Sequence, residues 1–332
     1  MDILTRLLAG TKLACIDVGA RGGVQNTWKP FAPFLELDAF EPDPVACARE
    51  QQANRPGEHW HPIGLAAQTG KATLHVLDKA SSSSLFPPNT AVMRHYSRGN
   101  VGERSRPVEI DVQSLGDFLT GSPRPRPNLM KLDVQGAELP ILQSMTGDQW
   151  SEVLGIQTEI SFLPFYEGQP LFWDLDAHIR SRGLLFFDIL PILVYRVHEG
   201  RDHHFMRKHL NISRNRRDLS ARTVTGDAFY LRDPESVLQS GDRATIAKLA
   251  VVLMIYRFLD EALWLTEEAA TRGIIQRDEA AALIEIVRRH APQPGLRQRD
   301  DKIGNWARRL SRKFNIGRAR KIEYWMDRSW DY

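Results

Sequence analysis

The segment ACIDVGARGG, residues 14–23, constrains the fold more than any other stretch of the chain. Ala14, Cys15, Ile16 and Val18 are small or branched and apolar, the pattern of a strand buried on both faces of a parallel sheet. Asp17 sits near its end. Gly19, Gly22 and Gly23 then allow a sharp turn and let a ligand approach the backbone. A strand buried on both faces needs helices above and below it, and the remaining sequence alternates accordingly. LELDAFEPDP (35–44) reads as a second strand ending at Glu41, PVACAREQQANR (44–55) as a helix, and HWHPIGLAA (59–67) as a third strand and its exit. Further strands are expected within 71–78, 127–136, 153–160, 184–197 and 226–234, and helices within 137–145 and 172–183. The alternation is that of an α/β protein with a doubly wound sheet and helices on both faces.

Composition narrows the class. A chain of 332 residues, 42% hydrophobic and 26% charged, is an ordinary globular protein, and its net charge of +3 selects no partner. Cys15 and Cys47 supply neither a disulfide framework nor metal-ligand spacing, so a cytoplasmic setting is expected. The opening MDILTRLLAG lacks the pattern of a secretory signal. The most apolar stretch, 247–265, is interrupted by Arg257, Asp260 and Glu261 and reads as one packed helix rather than a membrane span. Three regions are expected: 1–234, the sheet domain; 235–290, a helical accessory or oligomerisation unit; and 291–332, a basic tail carrying Trp306, Trp325 and Trp330.

A nicotinamide-binding turn would follow G-x-G-x-x-G. Here the run is Gly19-Ala20-Arg21-Gly22-Gly23, which argues against that class. Glu41 closes the second strand, and a carboxylate offers two acceptor oxygens, enough for both hydroxyls of an adenosine ribose. Turn and carboxylate together point to an adenosine-containing ligand. KLDVQGAE (131–138) adds Asp133 at the end of another strand on the same sheet edge, where open α/β folds bind ligands. A charge closing an apolar strand needs a partner. Glu138 lies in the first turn of the next helix, where the helix dipole and free amides favour a carboxylate, and it reads as structural.

The motifs IDVGARGG, AFEPDP, SSSSL, VEIDVQSLGDFL, KLDVQGAE and TEISFLPFYEGQPLF occur in an order that resembles the FkbM family of S-adenosylmethionine-dependent methyltransferases, over roughly residues 13–235. The resemblance implies a class I methyltransferase (Rossmann-like) fold: a mostly parallel seven-stranded sheet whose last strand is antiparallel, here followed by a C-terminal helical extension. It implies transfer of a methyl group from S-adenosylmethionine, usually to an oxygen of a sugar, glycan or secondary metabolite. By position, Asp17, Gly19, Ala20, Arg21 and Gly23 match the turn that holds the amino-acid part of the cofactor, and Glu41 matches the ribose carboxylate. Gly64 and Leu65 fall near the adenine, and Asp133 beside the methyl group. Arg21 stands where family members often carry Asn; it is expected to meet the cofactor carboxylate, an acidic acceptor or solvent.

An alcohol is a poor nucleophile until its proton is taken, so such a site needs a base or a metal. Asp133 and Glu159 end neighbouring strands and are the expected base and orienter, or oxygen ligands of a divalent cation. His95, in the loop after Ser81–Ser84, is the third catalytic candidate. His61 on a strand, and His198, His203 and His204 in a basic insertion, are weaker, because a lone histidine is more often packed or solvated. Ser81–Ser84 reads either as a flexible polar loop or as donors to the substrate. Phe165 and Tyr166 either fill the core or stack on a sugar face. The expected acceptor is a sugar or glycan, including a lipid-linked one. The basic segments 201–222 and 297–328 could meet phosphates or an anionic surface, placing the chain at the inner face of a membrane, or could be solvated faces. Methylation of nucleic acid, and a binding protein that keeps the fold without turnover, are the competing readings. The oligomeric state is open.

Overall fold

The computed structural model describes residues 3–53, 55–96, 104–195 and 222–291; for 190–195 and 222 it describes the backbone alone. The first strand, β1 (Leu13–Val18), is buried at every position and takes the centre of the sheet. It pairs in parallel with β2 (Leu35–Phe40) on one side and β7 (Leu129–Leu132) on the other. Outward from β2 lies β3 (Glu58–His61). Outward from β7 lie β8 (Gly155–Ser161), β10 (Arg222–Arg232) and β9 (Leu184–Tyr195). The order is β3-β2-β1-β7-β8-β10-β9, and β10 runs antiparallel to both of its neighbours. This is the mostly parallel seven-stranded arrangement with a reversed last strand, and it ends in C-terminal helices.

One expectation for the third strand is corrected. Residues 59–67 do not form a strand and its exit. The chain breaks at Pro62, and β4 (Gly64–Ala66) joins β5 (Gly70–Leu77) and β6 (Ser105–Ser114) in a separate three-stranded sheet, order β4-β6-β5. Gly64 and Leu65 therefore pair with Val112 and Gln113, not with β2. Proline has no N–H for a ladder, so the pairing partner changes there.

Helices cover both faces of the main sheet. Alternation along each strand sends Leu13, Cys15, Leu37, Leu129, Phe229 and Leu231 to one face, and Ile16, Val18, Phe40, Met130, Ile156 and Tyr230 to the other. The second face packs on α4 (Leu115–Gly121), α5 (Glu138–Gln143) and α6 (Phe172–Ser181). The first packs on α1 (Ile3–Leu7), Trp28 and three C-terminal helices: α8 (Arg243–Ile255), α9 (Leu259–Thr271) and α10 (Arg277–His290). Those three follow α7 (Pro234–Ser240). Two N-termini are set by their caps: Asp43 accepts from Val45 N and Ala46 N to start α2 (Pro44–Gln52), and Asp242 accepts from Thr245 N to start α8. α3 (Thr90–Tyr96) completes the set.

The C-terminal helices share the core of the sheet. Helix α8 is buried from Leu249 through Ile255, and it lies so close to β8 that a Cβ on Gly155 would sit 3.0 Å from Val252 Cγ1. The boundary expected at 234/235 thus separates chain segments but not cores. The single helix expected over 247–265 is two helices. Arg257 turns left-handed at φ +63°, and Phe258 N donates to Leu253 O, which closes α8 before α9 starts. Among the described residues no helix is long and apolar enough to cross a membrane. Gly155→Val should cost about 1–3 kcal/mol by overpacking this contact, read as a lower urea midpoint with an unchanged slope.

Candidate active site

The strand order reverses between β1 and β7, and in open α/β sheets the crevice at that point is where ligands bind. Two backbone segments meet there. A Cβ on Gly19 would lie 2.1 Å from Asp133 O, so only glycine permits the approach, and its φ of +78° is the left-handed conformation glycine tolerates. Gly19 N and Ala20 N both donate to Phe40 O at 3.1 Å, which ties the turn to the end of β2. Gly22 has φ +92° and open space where a Cβ would stand; a Cβ on Gly23 would meet the Glu50 carboxylate at 3.0 Å.

On the β2 side, Glu41 is 4% exposed. Its Oε1 accepts from Asp43 N at 2.9 Å, and the Arg21 guanidinium lies 3.9 Å away. Burial pushes the Glu41 carboxyl up, against the lowering effects of the Asp43 N–H and Arg21. Among the described residues no donor reaches Oε2, so one oxygen of a buried carboxylate is left to accept. Arg21 pairs mainly with Asp43, at 3.1 Å. Its place is beside this acidic pair, which differs from the contacts expected of it. Asp17 is 1% exposed and accepts from Lys131 Nζ at 3.1 Å. Its carboxylate therefore joins β1 to β7 beneath the turn and is not presented at the surface. Leu65 is buried in the core with Val18 and Phe40, under the end of β2.

On the β7–β8 side, Asp133 stands exposed just past β7 and Glu159 lies near the end of β8. One amide joins them: Gln135 Nε2 donates to Asp133 Oδ1 at 2.9 Å and to Glu159 Oε2 at 2.7 Å. Burial pushes the Glu159 carboxyl well up, reinforced by Asp133, Glu138 and Asp227 and opposed by Lys131. Asp227 on β10 is the cross-strand partner of Glu159 and accepts from Gln157 Nε2 at 2.9 Å. Burial, with Asp133 nearby, raises it to about 6. Glu138 is structural, as expected. It accepts from Val134 N and Gly136 N at 2.9 Å each, closing the turn before α5, and burial raises it to about 7. Lys131 is held charged mainly by Asp17 and Asp133, against its own burial.

Other candidates fall elsewhere. His95 lies in helix α3, not in a loop; it is exposed and meets the Tyr96 ring edge-on at 4.5 Å. His61 is engaged by Asp38 at 2.7 Å and stacked on Phe40. Ser81–Ser84 is an ordered turn: Ser84 is buried and its Oγ donates to Gln135 O at 2.6 Å. Tyr166 is in the core and donates to Ser82 O at 2.6 Å, and Phe165 packs against the same cluster. Among the described residues no group of three or more His, Cys, Asp and Glu side chains is arranged to hold a metal ion. His198, His203, His204, most of the basic insertion and the basic tail lie outside the described residues. Sequence reading passed over Gln135, Lys131 and Asp227. Their signals were a charged residue inside each of two apolar strands and a polar side chain between a strand-ending aspartate and a glycine.

A reversed strand order with a glycine turn, a buried carboxylate closing β2 and acidic side chains on the far side of the crevice is the arrangement of a class I methyltransferase. The sequence profile described as "Methyltransferase FkbM domain" matches residues 17–186, just over half of the chain. The chain belongs to this family of S-adenosylmethionine-dependent methyltransferases. "Methyltransferase 1" of Beauveria bassiana (strain ARSEF 2860) is 26% identical over 163 residues, which cover 44% of this chain and 63% of that protein. The solved magnesium protoporphyrin IX methyltransferase from Synechocystis PCC 6803 with bound SAM is 11% identical; the match covers 70% of this chain and 76% of that one, with a TM-score of 0.30.

Asp227 titrates with a sign that can be checked. Its folded pKa, about 6, lies above the unfolded value, so its protonated form stabilises the fold. That contribution is full below about pH 4 and lost as pH rises toward 6. Asp227→Asn should remove this slope and raise stability at pH 7.5 by about 2 kcal/mol, measured by urea unfolding across that range.

Proposed function

We propose that this methyltransferase methylates a hydroxyl of a sugar or glycan. The observation that carries the reading is the pair of carboxylates, Asp133 and Glu159, joined through one amide across the crevice from Glu41. S-adenosylmethionine, when bound, supplies a methyl group on a sulfonium that leaves readily. Glu41 Oε2 is the acceptor for its ribose, and the open face of the turn at Gly22 receives its amino-acid part. The remaining task of the chain is to hold an acceptor oxygen in line and remove its proton.

Glu159 suits proton removal. Its buried, acid-crowded setting raises its proton affinity from that of an ordinary carboxylate toward that of a base useful near neutral pH. Asp133 is exposed and accepts a hydrogen bond from the same amide, which suits it to orient the hydroxyl. Ser161, Gln169 and Pro170 line the narrow cleft beside Glu159 and Glu138 and form the acceptor side. A lipid-linked glycan met at an anionic surface through the basic tail belongs to the same reading.

The test is methyl-labelled S-adenosylmethionine with monosaccharides, methyl glycosides, nucleotide sugars and lipid-linked sugars. Label should appear as an alkali-stable methyl ether on a sugar after acid hydrolysis; label in nucleic acid would overturn the reading. Asp133→Asn and Glu159→Gln should each lower turnover by about 10²–10⁴-fold, with S-adenosylhomocysteine affinity unchanged by calorimetry. Glu41→Ala should weaken that affinity by roughly 10- to 100-fold, the loss of hydrogen bonds to a charged group.

A further inference from the structure

Gln135 is held in a conformation its residue type disfavours. Its φ is +58°, in the left-handed region where an L side chain is strained and glycine is not. The next residue, Gly136, also has positive φ, so the turn already contains one glycine. A second glycine at 135 would form the turn without strain. The side chain that stands there makes contacts a glycine could not.

Those contacts converge on the two carboxylates. The amide nitrogen carries two hydrogens, and its two acceptors are Asp133 Oδ1 at 2.9 Å and Glu159 Oε2 at 2.7 Å. The orientation is fixed electrostatically, because the flipped amide would set its oxygen against two carboxylates. Oε1 instead faces the Tyr166 hydroxyl at 3.2 Å. The backbone is fixed as well: Gln135 O accepts from Ser84 Oγ at 2.6 Å. Ser84 and Tyr166 come from distant parts of the chain, and Tyr166 Oη is itself bound to Ser82 O.

We propose that Gln135 is a positioning residue, whose single amide fixes the separation of Asp133 and Glu159 and favours the ionised, proton-accepting form of Glu159. The proposal rests on the reading of these two carboxylates as orienter and base. The need for a neutral donor is plain from the groups facing Glu159: Asp133 and Lys131 from β7, Glu138 from α5, Asp227 from β10, and Tyr166. The Lys131 ammonium is hydrogen-bonded to Asp17. The amide offers Glu159 a donor without adding charge, and its strained backbone is offset by the hydroxyl of Ser84.

The experiment uses the full chain labelled with ¹³Cδ-glutamate, with the Glu159 resonance identified by its absence in Glu159→Gln. Carboxyl chemical shifts are followed from pH 4 to 9 in wild type, Gln135→Met and Gln135→Gly. Methionine keeps the length and loses both donors. Glycine loses the side chain and relieves the backbone. The Glu159 midpoint should rise by about one pH unit or more in both variants. The melting temperature of Gln135→Gly should equal or exceed that of wild type. An unchanged midpoint overturns the proposal, as does a Gln135→Gly that melts lower with its midpoint unmoved, the signature of a merely structural role. Failure of the underlying reading looks different: turnover retained by Glu159→Gln would remove the base and leave the midpoint shift standing.

Discussion

Charge buried at the edge of an apolar sheet has to be compensated, and Lys131 is the compensation on which this site depends. Asp17, Asp133, Glu138, Glu159 and Asp227 gather at the ends of β1, β7, β8, α5 and β10, and the Lys131 ammonium lies among them, bonded to Asp17. A buried carboxylate without a partner costs several kcal/mol. The ion pair lets β1 and β7 carry acids at adjacent register positions, Asp17 opposite Lys131. Around it the remaining acids are graded by environment. Glu138 is spent on two backbone amides, Asp227 is bound by Gln157, and Asp133 and Glu159 share the amide of Gln135. The chemistry assigned to the site needs that grading, since groups of one type act differently only where their surroundings differ.

Much of the fold was legible because it rests on local pattern. β1, β2, β7 and β8 are continuous apolar runs punctuated by glycine, proline or an acid, and such runs announce buried parallel strands. The glycine turn and Glu41 were legible for the same reason: backbone conformation and strand-end position are written in neighbouring residues. Where long-range pairing decides, the sequence was mute. Nothing in GLA at 64–66 says that it pairs with 112–114 and not with β2. Arg257 gives no local sign that it will turn left-handed, because that turn is set by how α8 and α9 pack on the sheet.

The site divides along the same line. Asp133, Glu159 and Glu41 could be named from strand ends. Gln135 could not, because its importance comes from four groups 2 to 84 residues away from one another in sequence: Asp133, Glu159, Ser84 and Tyr166. Asp227 needed the antiparallel register of β10 to face Glu159. The aromatics expected to meet a sugar, Phe165 and Tyr166, turned inward because the Tyr166 hydroxyl finds Ser82 O there. Their role passes from touching a substrate to fixing the residue that orders the carboxylates.

Gly19 carries a consequence of its own. With no side chain, the turn that faces the methyl donor rests directly on the carbonyl of Asp133, backbone on backbone. No rotamer change can widen or narrow that contact. The span between donor turn and acceptor carboxylate is therefore a ruler cast in the main chain, and it leaves the side chains of β8 and of the segment leading into α6 free to vary with the molecule being modified.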